Sequence, residues 1–183
     1  MLPMRHLAAI RWTALLTTTV TFLLSLLLYA GFDPAGDPAQ PQLADRISGW
    51  FPGLDIQYYV GIDGLGLLLI LLTTLLGPVV VLSSWNYIDR YQKGYYALLL
   101  VLQTGMTGVF AAYDLLLFYI FFELTLIPMY FIIGIWGGED RIYAAVKFVL
   151  YTLVGSLLML VGILYLGFAA GDGVNGGVFT TDY

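Results

Sequence analysis

The chain has 183 residues, 60% of them hydrophobic and only 10% charged, with a net charge of −5 and a mean hydropathy of +0.88. Soluble chains carry about 45–50% apolar and about 25% charged residues, so a water-soluble globule is nearly excluded and a disordered chain with it; the absence of a basic cluster argues against nucleic acid as a partner. Cysteine is absent and His6 is the only histidine, which removes disulfides, thiolate catalysis, iron–sulfur ligation and histidine-rich metal or haem sites.

A helix crosses a bilayer with about 20 mostly apolar residues. Five stretches reach that length, so the expected fold is all-α: a polytopic transmembrane helix bundle forming one domain over residues 1–183. The first span covers about residues 12–30, behind Arg5 and Arg11. It is longer than the roughly 7–15 residues of a signal-peptide core, and Tyr29-Ala30-Gly31-Phe32 makes a poor cleavage site. Residues 31–57 hold Asp33, Pro34, Asp37, Pro38, Pro41 and Pro52 and are expected to form a turn-rich loop. The second span, about 63–84, opens on Asp63-Gly64, which suits an N-cap, and contains Gly77-Pro78. The run Gly61-Ile62-Asp63-Gly64-Leu65-Gly66 lacks the spacing of a dinucleotide fingerprint. A loop over 85–94 with Asp89, Arg90 and Lys93 leads to the third span, about 95–113, where Gln103 and Thr107 lie one turn apart. Asp114 reads as the cap of the fourth span, about 115–136, which contains Glu123 and Pro128. A short hairpin over 137–141 joins it to the fifth span, about 142–167, which contains Lys147. The tail from Gly171 is rich in Gly and Asp.

Basic residues alternate with the spans. Arg5, Arg11, Arg90, Lys93 and Arg141 fall on one side, and only Arg46 on the other. Cytoplasmic loops carry the excess of Lys and Arg, so the N-terminus is expected in the cytoplasm and the tail outside.

Glu123 and Lys147 are the charges left inside spans. Glu123 lies eight residues into the fourth, so about 12 Å deep at 1.5 Å per residue. A charge at the bilayer centre costs about 2.5–3.5 kcal/mol on insertion scales, and Glu is too short to snorkel from there. Lys147 lies nearer its interface, where snorkelling is an alternative to function. Tyr119 and Tyr130 share the helix face of Glu123, and Tyr143 and Tyr151 share that of Lys147. Such polar faces normally point into a bundle. Pro128 removes a backbone donor and releases the carbonyl of Leu124, which predicts a bend beside the carboxyl; Pro78 has the same effect on Thr74, with a purely structural kink equally open. Low dielectric penalises the charged forms of carboxyls and ammoniums, so such groups exchange protons at modest cost, as a relay requires. Counted from the hairpin, Glu123 and Lys147 differ in depth by roughly 7–8 Å. A water-linked pair is therefore expected rather than a direct ion pair.

The run Phe122-Glu123-Leu124-Thr125-Leu126-Ile127-Pro128-Met129-Tyr130, with Ile135-Trp136-Gly137 and Arg141-Ile142-Tyr143-Ala144-Ala145-Val146-Lys147-Phe148, resembles the antiporter-like M chains of bacterial NADH:quinone oxidoreductase (complex I). Gly61-Ile62-Asp63-Gly64-Leu65 and Ser83-Ser84-Trp85 are similar to the same family. The resemblance extends over about residues 11–183 and is most specific in 118–160. It implies a partial antiporter-like fold in the bacterial inner membrane, with Glu123 at the family's essential membrane carboxylate and Lys147 at a lysine its members also carry. It implies other complex I membrane subunits, the lipid bilayer and protons as partners. No cofactor is expected in this chain, with NADH, FMN, iron–sulfur clusters and quinone elsewhere in the complex. Members have fourteen helices, so the chain is expected to be a fragment holding the second to the sixth. Two rival readings are a subunit of an Mrp-type cation/proton antiporter and a non-transporting membrane scaffold.

Overall fold

The computed structural model describes residues 4–36, 40–47 and 57–174, with the backbone alone for 4–7 and 170–174. Asp37, Pro38, Pro52, the tail beyond 174 and the side chains of Arg5 and His6 lie outside the described residues. The expected helices are there: α1 (Met4–Gly31), α2 (Gly64–Ser83), α3 (Gln92–Ala111), α4 (Leu115–Trp136) and α5 (Arg141–Val174). Each is long and apolar enough to cross a membrane. Leu, Val and Ile side chains stay exposed along all five, as on Leu68, Leu72 and Leu158. In lipid that costs nothing, because hydrocarbon replaces water around them.

The helices pack against one another in chain order, and α1 also meets α3. Small and hydroxyl residues fill the seams, as expected where no hydrophobic force holds helices together. The Ser25 and Thr74 hydroxyls bond at 2.8 Å across α1 and α2. Helix α3 meets α4 at Gly108, where any Cβ would run into the Phe121 ring.

The connection between α1 and α2 differs from the turn-rich loop read from the sequence. It contains an antiparallel ribbon of β1 (Gln42–Ile47) and β2 (Tyr58–Ile62), pairing Ile47 with Tyr58, Arg46 with Tyr59 and Asp45 with Val60. Tyr58-Tyr59-Val60 is strong strand sequence, and the Pro and Asp residues around it masked that signal. The ribbon also ties down the α3–α4 junction. The Tyr113 amide donates to the Tyr59 carbonyl at 2.9 Å, and Val60 bridges Ala112. Burial first, then the Asp63 carboxylate and Tyr59, pushes the Tyr113 phenol above its usual range.

Both aspartates at span boundaries are caps. Asp63 accepts from the Gly66 amide at 2.6 Å. Asp114, buried to 1% exposure, accepts from Leu116 and Leu117 at 2.9 and 3.0 Å. Each satisfies amides that lipid could not. At the opposite end of the bundle, Trp12 meets Trp85 edge-on, Arg11 lies over the Trp85 ring, and the Trp136 indole donates to the Arg90 carbonyl at 2.7 Å. Tryptophan and arginine together mark a membrane–water interface.

Candidate functional site

Helix α4 starts at a fixed point, because Asp114 holds its first amides. Glu123 sits eight residues further on, about 12 Å from the ribbon end of the bundle. Its side chain is half-buried, and its Oε1 is buried with no protein hydrogen-bond partner. Tyr119, one turn earlier, lies in the neighbourhood of the Glu123 carboxyl and of Ser156 on α5. Ser156 is 3% exposed and donates back to the Leu153 carbonyl at 3.1 Å. Glu123, Tyr119 and Ser156 thus share one neighbourhood between α4 and α5.

A groove of about 550 Å³ between α4 and α5 opens onto Glu123, with Phe121, Leu124 and Tyr130 from α4 and Val149 and Leu153 from α5 among its lining. Tyr130 lies seven residues after Glu123 in this groove, its ring edge-on to Phe131 at 5.4 Å. Pro128 is buried, and α4 continues through it as helix to Trp136. Proline has no amide to give the Leu124 carbonyl, and Leu124 lines the groove. A free backbone acceptor therefore belongs to the same neighbourhood as the carboxyl.

Lys147 is not in this neighbourhood. The expectation that its polar stripe points into the bundle is corrected: Lys147, Tyr143 and Tyr151 are all exposed. The Lys147 ammonium lies over the Tyr143 ring, 5.5 Å from its centroid. It lines a separate groove of about 710 Å³ with Tyr143, Val146 and Tyr151, which shares no residue with that of Glu123. The physical reason is the rotation of α5. Ala145, Ser156 and Ile163 form its buried stripe, and Lys147 stands about 200° around the helix from Ala145 at 3.6 residues per turn. Small residues let α5 approach α4 closely, and that packing, not the charge, sets which face is covered.

Sequence reasoning missed Ser156 as a neighbour of Tyr119. A serine beside Gly155 in the middle of an apolar span was the available signal. Among the described residues, no group of three His, Cys, Asp or Glu side chains could hold a metal ion.

Two family models match the chain. One, described as NADH:quinone oxidoreductase/Mrp antiporter, TM, covers residues 112–175. The other, NADH-ubiquinone oxidoreductase chain 4, amino terminus, covers residues 47–108. The chain is similar to NADH-quinone oxidoreductase subunit M of Rhodobacter capsulatus, 52% identical over 88% of this chain and 30% of the relative. It is 43% identical to NADH-ubiquinone oxidoreductase chain 4 of Arabidopsis thaliana, over 93% of this chain and 34% of that one. The chain thus spans about a third of the length of the curated relatives it matches. Among solved structures it is similar to a chain of respiratory complex I from Thermus thermophilus with bound NADH, with a TM-score of 0.71 and 35% identity, covering 93% of this chain and 33% of that chain. A chain of the Mrp complex from a Dietzia species gives the same TM-score at 21% identity, covering 92% of this chain and 17% of that one, which speaks for the fold alone.

Proposed function

Because the chain belongs to the antiporter-like family of NADH:quinone oxidoreductase membrane subunits, we propose that it forms part of a proton-translocating subunit of a bacterial respiratory complex in the inner membrane. The reading is carried by one observation: the Glu123 carboxyl, deep in α4, has a buried oxygen with no hydrogen-bond partner, and Tyr119 lies beside it. An ionised Glu123 would draw the neighbouring Tyr119 hydroxyl as a donor. A protonated Glu123 is neutral and sits in the bundle at far lower electrostatic cost. Tyr119 and Ser156 then offer a hydroxyl path by which a proton moves between the carboxyl and α5. The Leu124 carbonyl released by Pro128 adds an acceptor for water at the same level, and Pro128 gives α4 local plasticity.

Lys147 acts from the other face of α5 as a relay partner or modulator, and Tyr143 and Tyr151 support it. Tyr130 supports Glu123 from the far end of its groove. Electrons do not pass through this chain; NADH, FMN, iron–sulfur clusters and quinone belong to other subunits, and the chain's partners are the neighbouring membrane subunits. The aromatic and basic end of the bundle, with Arg11, Arg90 and Trp136, is the cytoplasmic one.

The shared fold with an Mrp chain makes a cation/proton antiporter the second reading. Deleting the gene and assaying everted membrane vesicles separates the two. The proposal expects NADH-driven acidification of the vesicle lumen to be lost and sodium/proton exchange to persist. Loss of exchange with intact NADH-driven acidification would instead support the antiporter.

A further inference from the structure

Helix α5 packs on α4 and buries Ala145, Ser156 and Ile163. Away from that seam it is open, and it is the least covered of the five spans. Along the open face run Tyr143, Lys147, Tyr151, Gly155, Gly162 and Tyr165. At about 100° per residue all six fall within a sector of about 120°. The stripe is about 33 Å long at 1.5 Å per residue, as deep as the hydrocarbon core of a bilayer at about 30 Å.

Lipid is a poor cover for this face. Lys147 lies six residues into α5, so about 9 Å from its start at Arg141. Its ammonium rests on the Tyr143 ring, and among the described residues no carboxylate meets it. A cation in hydrocarbon is costly unless an opposite charge faces it. Snorkelling relieves a lysine near an interface, but it does nothing for Tyr151. That residue lies ten positions into the helix, about 15 Å deep, and is 85% exposed. Tyrosine favours the membrane–water interface over the bilayer centre. Deeper still, Gly155 and Gly162 face open space, with nothing within 4 Å of an added Cβ. Small residues on a membrane helix let a second backbone come close. One half of the stripe therefore calls for an acceptor of opposite charge, and the other half is shaped for a helix. A lipid headgroup would meet only the end near Arg141.

We infer that this face docks a transmembrane helix of a neighbouring membrane subunit, and that the helix brings a carboxylate to Lys147 and Tyr151. One turn separates these two residues, so a single carboxylate accepts from the ammonium and the phenol together. The choice of a neighbouring subunit rests on the proposed reading that the chain works beside other membrane subunits. The site is separate from Glu123, since the groove of Lys147 shares no residue with that of Glu123.

Photo-crosslinking in native membranes tests the inference. Tyr151 would be replaced by p-benzoylphenylalanine in the full chain within its complex, and Leu68, on the lipid-facing side of α2, in a control. After irradiation, position 151 is expected to give an adduct with another membrane polypeptide. Mass spectrometry should map that adduct to an apolar span with an Asp or Glu within two turns of the linked residue. Position 68 should give lipid adducts alone. Adding Lys147→Met is expected to lower the yield at 151 several-fold, and Lys147→Arg should restore it. Lipid adducts alone at 151, an adduct within this chain or with a second copy, or a linked helix without a nearby carboxylate would overturn the inference. An unchanged yield with Lys147→Met would overturn it as well. If Lys147→Met does not accumulate, the adduct formed with Lys147 in place decides. A native gel tells two failures apart. A chain that migrates in a larger assembly yet reaches only lipid defeats this inference alone, and a chain that migrates by itself defeats the subunit reading too.

Discussion

Replacing Glu123 by glutamine is expected to lower NADH-driven proton translocation about tenfold or more when the change is made in the assembled complex, a loss of at least about 1.4 kcal/mol in the controlling step. Glutamine matches the size and hydrogen-bonding reach of the carboxyl but cannot gain or lose a proton. The Tyr119 hydroxyl still finds an acceptor, so packing between α4 and α5 survives and the complex assembles. Glu123→Asp keeps the titrating group and withdraws it by one methylene, so it should retain part of the activity. Everted vesicles energised with NADH give the measurement, with subunit content checked on a native gel. A carboxyl that merely holds two helices together would tolerate glutamine and resist aspartate, which is the opposite order.

The second large effect is structural. Gly108→Leu is expected to destabilise the chain by about 3 kcal/mol, the upper end of the usual cost of overpacking. The Phe121 ring already occupies the space of any Cβ at that position. Gly105, one turn earlier, also faces α4, where an added Cβ would lie 2.9 Å from Thr125, so α3 has little room to slide and relieve the clash. Unfolding in a denaturing detergent, followed through the tryptophans, would show the shift. Combining Gly108→Leu with Phe121→Ala should recover most of it, because the pair exchanges volume across one contact. Wild-type stability for Gly108→Leu alone would mean that α3 and α4 do not approach as described.

Much of the fold was legible because membrane insertion imposes long apolar runs; α2 and α4 end close to theirs, while α1 begins at Met4 and α5 runs to Val174, both beyond the apolar stretch. The caps were legible as well: an aspartate just before such a run has few other uses, and Asp63 and Asp114 both hold helix amides. The ribbon was not, since β1 and β2 are short and embedded among prolines and aspartates whose composition reads as turn. At the site, Glu123 stood out by its cost in lipid. Lys147 stood out equally, and its direction was misread. Polarity predicts which groups want cover, but the rotation of α5 is set by Ala145, Ser156 and Ile163, which pack closely because they are small or well shaped for the seam. Tyr119 was visible as a helix-face neighbour of Glu123. Its second partner, Ser156, was not, because a contact between helices depends on register that one sequence does not fix.

Infrared difference spectroscopy during turnover tests the central claim most directly, that the Glu123 carboxyl changes its protonation as the complex works. Vesicles holding the complex would be recorded before and after NADH is added, in wild type and in Glu123→Gln. The account predicts a carboxyl C=O difference band in the wild type that is absent from Glu123→Gln. The same carboxyl difference spectrum in both would contradict it.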